Sequence, residues 1–445
     1  ERTASENVTV KGGEKFHFVA TPANMGSLKG KYAITSNFPL DFHAMLLKLE
    51  SSQDIGFGYY TDSADLQITV DWPEEAVIEI TKKDGDTGKN LAGAVYGVYS
   101  DNACTKLIVK MPPTDSNGSS RVTLTKTQDT VYLKEITAPE GYVVQASSYG
   151  VKLVVGSTTK QTVTDKEQKG NLTVYKEGEV FVGAVSDENG TSFQYEKRRQ
   201  KGAVYNVYAA EDIVTAGGKT VYKKGAEVAK NLITGENGSV TVKNLPLGSY
   251  NVTEAQAPEN FYNAKETKKV TISYAGQTAE AAFSETTFTN DRQKAVVQVI
   301  KKDKDTENTL SGGHFALFAA QDMKTVDGKV AVKKDALIET AITGTDGKAA
   351  FKADLPVGFS YYVKEVQAPA GYVRNEKDTY SFQFSYTNDE QAKISFSHTF
   401  VNDRVSAAIS LNKKDAETKE NKAQGDASLE NAVYGLYARN DITHP

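Results

Sequence analysis

The sequence predicts an all-β chain of tandem Ig-like, prealbumin-like β-sandwich units, and three observations carry that expectation. Helical periodicity is scarce, while short alternating runs such as AVIEITKK, KVTISYA, VVQVIKK and YSFQFSYT are separated by Gly, Asn and Asp turns. Nearly the same phrase is written three times: VYLKEITAPEGY from Val131, SYNVTEAQAPENFY from Ser249 and YYVKEVQAPAGY from Tyr361. The 445 residues leave room for roughly three to five domains.

The elements recur in a fixed order. Each unit opens on a lysine-bearing strand: EITKKDGDTG around Lys82, LTVYKEGE around Lys176, VQVIKKDKDT around Lys301 and ISLNKKDAET around Lys413. A second strand follows, GAVYGVYSD, GAVYNVYAAED, GGHFALFAAQD or NAVYGLYARND. Gly/Asp-rich turns (DSNGSS, GENGSV, GTDGKA) lead into the glutamate phrase, and each complete unit closes on TVTDKEQ, TTFTNDRQ or HTFVNDRV. The units span 76–168, 169–293 and 294–404. Residues 405–445 open a fourth unit and stop before its glutamate, so Lys413 has no partner in this chain. Repeats of this size are beads on a string, unlike the short modules of a solenoid. Closing strands run almost directly into opening strands, which predicts a stiff, elongated rod.

Two stretches depart from the pattern. Lys176 stands 26 residues before Gly202, against 11 from Lys82 to Gly93, and the extra length reads as a surface excursion. Residues 1–75 do not match the repeat. They hold about five strand-like runs, among them KFHFVAT, HAMLLKLE and DLQITVDW. They read as a small β domain or the remainder of a head, with Pro73 at the junction. The chain opens on Glu1 and carries no secretory signal, which reads as a mature or trimmed piece.

Composition excludes several classes. A net charge of −5, from 52 basic and 57 acidic residues, with the basic ones dispersed, argues against a nucleic-acid partner; KRRQK at 197–201 reads as a solvated loop. No apolar run is long enough to span a membrane. One cysteine, Cys104, excludes a disulfide framework and a thiolate zinc site, and reads as a small packed hydrophobe. The five histidines are scattered without metal-ligand spacing, and DGDTG at 84–88 and DKDTEN at 303–308 read as turns rather than calcium loops. LPLG at 245–248 and LPVG at 355–358 also read as turns. No metal and no cofactor is expected.

Three residue types recur at corresponding places: a lysine in the first strand (Lys82, Lys176, Lys301), a glutamate mid-unit (Glu135, Glu254, Glu365) and an acid or amide in the last strand (Asp165, Asn290, Asn402). The plain reading is a structural ion pair of small worth. The sharper one is an intramolecular isopeptide bond. Burial lowers a lysine's pKa by penalising the charged form, leaving a neutral nucleophile. Burial likewise favours a neutral glutamic acid, which hydrogen-bonds the carboxamide oxygen and shuttles the proton to the leaving group. Ammonia leaves from Asn, water from Asp, and fixed proximity removes most of the entropic barrier. Such a bond forms once, so the chain is not an enzyme in the turnover sense.

The units resemble the CnaB-type (prealbumin-like, SpaA-like) domains of Gram-positive surface adhesins and pilins. The carrying motifs are the Lys-KD or Lys-E opening strand, the GAVYGVY strand, the box E-x-x-AP-x-x-[YF] and the terminal T-[DN] or V-N. The resemblance covers about 76–445. It implies Lys–Asn/Asp isopeptide bonds with a catalytic Glu: Lys82, Glu135 and Asp165; Lys176, Glu254 and Asn290; Lys301, Glu365 and Asn402. Asp165 departs from the commoner Asn, and Asn260 stands where Gly141 and Gly371 stand in the other units. No LPxTG-like tail or YPK-type lysine motif is present, and Cys104 precedes Thr105 rather than the Gln of a thioester domain. The implied role is a structural stalk outside a Gram-positive cell, wall-anchored by sortase through a C-terminal region not in this chain. A second reading makes the chain an adhesive module, binding a host matrix protein or glycan through residues 1–75 or the loops. A secreted enzyme with accessory sandwiches is the weakest reading, since no complete catalytic set is present.

Overall fold

The computed structural model describes residues 75–442 throughout and, before them, the backbone of six strands between Arg2 and Trp72. In that first region Arg2–Val10 pairs antiparallel with Ala64–Trp72. The side chains of residues 1–74 and the junction at Pro73 lie outside the described residues, and with them the expected head or separate domain. No helix occurs among the described residues.

Residues 75–404 form three sandwiches, each of two main sheets. In the first unit, one sheet sets the opening strand Glu75–Asp84 between Ser119–Thr125 and the closing strand Thr158–Glu167. The other sets the second strand Val95–Tyr99 beside the glutamate strand Thr130–Thr137. The third unit repeats this with opening strand Lys294–Asp303, closing strand Lys393–Arg404, second strand His314–Ala319 and glutamate strand Phe359–Gln367. In the second unit the corresponding strands are Lys169–Asp187, Ala281–Asn290, Val204–Ala209 and Gly248–Gln256. In every unit the opening and closing strands lie side by side and parallel, a pairing that requires the whole unit as its crossover.

The period of two residues decides what faces inward. Ala76, Ile78 and Ile80 put Lys82 and Asp84 on the buried face of their strand. Leu172 and Val174 do the same for Lys176, and Val297 and Val299 for Lys301. Val131 and Leu133 carry Glu135 inward, as Tyr250 and Val252 carry Glu254 and as Tyr361 and Val363 carry Glu365. The apolar residues of both sheets make one core per unit.

The closing strand of the first unit and the opening strand of the second are separated by Gln168 alone. Three residues separate Asn290 from Lys294. Asn260 holds φ +75°, matching the +88° of Gly141 and +82° of Gly371, which is why Asn is accepted there.

Four expectations are corrected. The extra stretch of the second unit is not a surface excursion: the Lys176 strand runs on to Asp187 and turns back as Gly190–Arg199, and this hairpin packs onto the third unit. Phe181 joins the third unit's core because one face of the hairpin is apolar. KRRQK is not a loop over its first residues: Lys197–Arg199 end the hairpin strand, with Arg198 paired to Asp327 at 2.9 Å. Cys104 is not packed in a core; it sits half-exposed in a turn with φ +53°. Neither expected strand of the fourth unit forms. Residues 405–442 run exposed without ladder partners, and an unpaired strand has no outlet for its backbone hydrogen bonds.

Candidate functional site

The parallel register brings the recurring residues to one end of each core. Val163 lies opposite Lys82 and Asp165 opposite Asp84. Phe288 lies opposite Lys176 and Asn290 opposite Gly178. Phe400 lies opposite Lys301 and Asn402 opposite Asp303. The acid or amide is therefore always two residues beyond the lysine's cross-strand partner, on the same face. The glutamate comes from the other sheet, opposite Tyr96, Tyr205 or Phe315, and a ladder irregularity falls beside it in each unit. Such bulges re-aim side chains.

In the first unit Lys82 Nζ lies 2.7 Å from Glu135 Oε1, contacts Asp165 Oδ1, and donates to the Tyr96 hydroxyl at 2.8 Å. The Lys82, Glu135 and Asp165 side chains are wholly buried. Burial pushes the Asp165 carboxyl up to about 7; Lys82 opposes the shift and the Glu135 charge adds to it. Two carboxylates beside one ammonium share too little positive charge for both to stay ionised easily.

In the second unit Lys176 Nζ lies 2.7 Å from Glu254 Oε1, and Asn290 Nδ2 donates to Glu254 Oε2 at 2.8 Å. In the third, Lys301 Nζ lies 3.3 Å from Glu365 Oε1, while Asn402 Nδ2 donates to both Glu365 oxygens at 3.1 and 2.9 Å. Burial pushes both amines down, outweighing the glutamate beside each. Aromatic rings close the sites, with Tyr205–Phe288 and Phe315–Phe400 centroids both 4.9 Å apart.

In every unit the glutamate therefore meets the lysine; it also meets Asn290 and Asn402, while direct contact between the lysine and its acid or amide occurs at Lys82 and Asp165. One detail differs from the expectation. The glutamates accept from the asparagine nitrogen, and the Asn402 carboxamide oxygen is buried without a partner. An ionised carboxylate can only accept; donation to the carboxamide oxygen needs a protonated glutamate and a half-turn of the amide.

Sequence reasoning missed a second buried group behind the first. Tyr142, the last residue of its phrase, donates to Asp84 Oδ2 at 2.6 Å, and Tyr372 donates to Asp303 Oδ2 at 2.8 Å. Arg404 Nε adds a 2.7 Å bond to Asp303. The same carboxylates take backbone N–H bonds from their turns (Asp86 and Thr87; Asp305 and Thr306). Burial alone would raise the Asp84 carboxyl, but these donors hold it below its usual value; at Asp303 the Thr306 amide leads the lowering. The signal was readable: an Asp two residues after the lysine accompanies a Tyr at the end of the phrase, while the second unit has Gly178 and Phe261 instead. Tyr96 was missed too, since the sequence marks it only as a residue of the second strand.

Fold and site define a class: tandem all-β units, each holding a buried lysine, glutamate and acid or amide between its first and last strands. The chain belongs to the family of SpaA prealbumin-like fold domains, whose model matches residues 76–168, 189–287 and 295–399, more than half of the sequence. The second match starts inside the hairpin, so Lys176 and Asn290 fall outside it, as Asn402 falls outside the third. The chain is similar in structure to the Bacillus anthracis TIE protein, at 20% identity and TM-score 0.46, covering 90% of this chain and 74% of that one. It is also similar to BcpA, the major pilin subunit of Bacillus cereus (16%, 0.29, 74% and 100%), and to the shaft pilin SpaA of Lactobacillus rhamnosus GG (14%, 0.20, 54% and 100%). A search of curated proteins found no match.

Proposed function

We propose that the chain is a structural stalk outside a Gram-positive cell, each complete unit locked by an isopeptide bond between its first and last strands. The observation that carries this reading is the register: three times, a buried lysine faces an acid or amide two residues past its parallel partner, with a buried glutamate between them. The neutral Lys Nζ attacks the carboxamide carbon of Asn290 or Asn402. The Nζ–C bond forms, the C–N bond of the amide breaks, and the glutamate carries the amine proton to the departing ammonia. At Asp165 the protonated carboxyl loses water, and its raised pKa keeps that form available near neutrality. The lysines' lowered pKa in the second and third units favours the nucleophile.

Each bond closes a loop of roughly a hundred residues, which by analogy with disulfides stabilises by ~4–5 kcal/mol. It also joins the two strands through which tension enters and leaves a unit, so force bypasses the hydrogen-bonded ladder. Intact-mass spectrometry tests the reading. The expected deficit is two molecules of ammonia and one of water; the full calculated mass sinks it.

A further inference from the structure

Successive units meet through two contacts repeated at both joints and, at each, a hairpin tip that reaches back to a different part of the preceding unit. First, a loop side chain of the following unit takes the N–H of the alanine in the Ala-Pro phrase: Ala138 donates to Gln277 Oε1 and Ala257 to Asp389 Oδ2, both at 2.8 Å. Second, the glutamine that ends the preceding unit plugs into that loop. Gln168 Nε2 donates to Gly276 O and Ala279 O at 2.9 and 2.6 Å; Gln293 Nε2 donates to Asn388 O and Gln391 O at 2.6 and 3.0 Å. Third, the tip of a short hairpin reaches back to the preceding unit. Gly217 N–H donates to Glu167 Oε1 at 2.8 Å, and Val326 N–H to Phe181 O at 3.1 Å.

The receiving face exists a third time, at the far end of the third unit. Gln168 N–H bonds Gly141 O, Gln293 N–H bonds Asn260 O, and Val405 N–H bonds Gly371 O at 2.9 Å, so the backbone there is laid out alike. In the first two units the face is covered: Ala138 is 7% exposed and Ala257 1%. In the third it is open, with Val373 52% and Val405 62% exposed and Ala368 only half-buried.

Residues 405–442 show what fits. Asp415 N–H bonds Glu420 O at 3.0 Å, and Asp415 Oδ1 accepts from Glu417 and Thr418, the turn that Asp84 and Asp303 build in complete units. Asp441-Ile442 falls where Asp212-Ile213 and Asp322-Met323 begin the docking hairpins.

We propose that the face around Ala368, Gly371 and Val405 is a docking surface for one further complete unit of this repeat. Its loop amide or carboxylate accepts from Ala368 N–H, and its hairpin tip covers the Gly371 turn. Val405 replaces the glutamine plug with an apolar contact, so this joint rests on the other two devices.

The test is residue-resolved amide exchange on the chain through Val405 followed by a second copy of residues 294–404, that copy marked by Val373→Ile to separate its peptides. The expected result is that Ala368 exchanges at least tenfold faster than Ala138 and Ala257 in the parent chain, and slows to their rate in the extended one. Ala368 staying fast beside a folded added copy, or being slow in the parent, overturns the proposal. A second variant does not depend on the added copy folding. Gln277→Ala in the parent chain should speed Ala138 exchange at least tenfold; an unchanged rate shows that the loop side chain is not what seals this face, and the proposal falls.

Discussion

Phe261 occupies, in the second unit, the space that an aspartate side chain takes in its neighbours: a Cβ on Gly178 would stand 2.2 Å from Phe261 Cε1. Gly178 lies opposite Asn290, as Asp84 lies opposite Asp165 and Asp303 opposite Asn402. The pair Asp–Tyr has been exchanged for Gly–Phe as one change, since either half alone leaves a clash or an unpaired polar group. Gly178→Ala should therefore destabilise the second unit by about 1–3 kcal/mol through overpacking. Tyr142→Phe should cost the first unit a similar ~1–3 kcal/mol by leaving Asp84 short of a donor. Unit-resolved hydrogen exchange measures both, and a neutral Gly178→Ala contradicts the account.

The crosslink chemistry separates by unit. Glu254→Ala and Glu365→Ala should each restore one ammonia to the intact mass, and Glu135→Ala one water. Each loss should lower the stability of its own unit by ~4–5 kcal/mol. Tyr96→Phe, which removes only the hydroxyl that accepts from Lys82, should slow water loss in the first unit as newly synthesised chain first folds, while the two ammonia losses keep their rates. Equal slowing in all three units would mean that the hydroxyl acts on folding and has no part in the bond.

Asp165 gives the first unit a pH dependence that a crosslink abolishes. In Lys82→Ala no bond can form, and the amine that lowers the Asp165 pKa is gone, while the desolvation that raises it stays. A carboxyl whose folded pKa exceeds its unfolded value of about 3.9 contributes stability that is complete below pH 4. That contribution is lost as pH rises through the folded value, here about 7 or higher. Unfolding of the first unit in Lys82→Ala should therefore come at lower temperature at pH 7.5 than at pH 5, and calorimetry at the two values reads it. A rise in stability over that interval reverses the sign and refutes the raised pKa.

The strand repeat and the site residues were legible because both follow short-range rules. Alternation placed Lys82 in line with Ile78 and Ile80, and three copies of the phrase marked the glutamates. What was not legible depends on contacts between units. Nothing within residues 177–199 says that Phe181 belongs to another unit's core, because an apolar residue reads the same whichever core receives it. Gln168 and Gln293 likewise looked like strand ends, and their side chains acquire meaning only beside the loops of the following unit. The fourth unit shows the converse. Its Asp415 turn forms from local bonds alone, while its strands, which need distant partners, do not.

The hairpin makes the third unit depend on residues of the second. Phe181 packs against Phe359 of the third unit with ring centroids 5.9 Å apart, and edge-on to Phe193 of its own hairpin at 5.8 Å. Tyr195 donates to Asp354 O and Thr191 to Leu337 O, both at 2.6 Å. Arg292 stacks 3.3 Å over the Tyr195 ring while pairing with Asp354 at 2.6 Å. Because the hairpin continues the strand that carries Lys176, any bond at Lys176 also anchors this buttress. Phe181→Ala should remove about 3–5 kcal/mol of core packing, and the loss should appear in the third unit and at the joint. Amides of Phe315, Leu317 and Val363 should exchange faster and proteolysis near 290–294 should quicken, with Tyr205 and Val252 keeping their protection. If protection is lost around Tyr205 and spared around Phe315, the hairpin serves its own unit and the buttress does not exist.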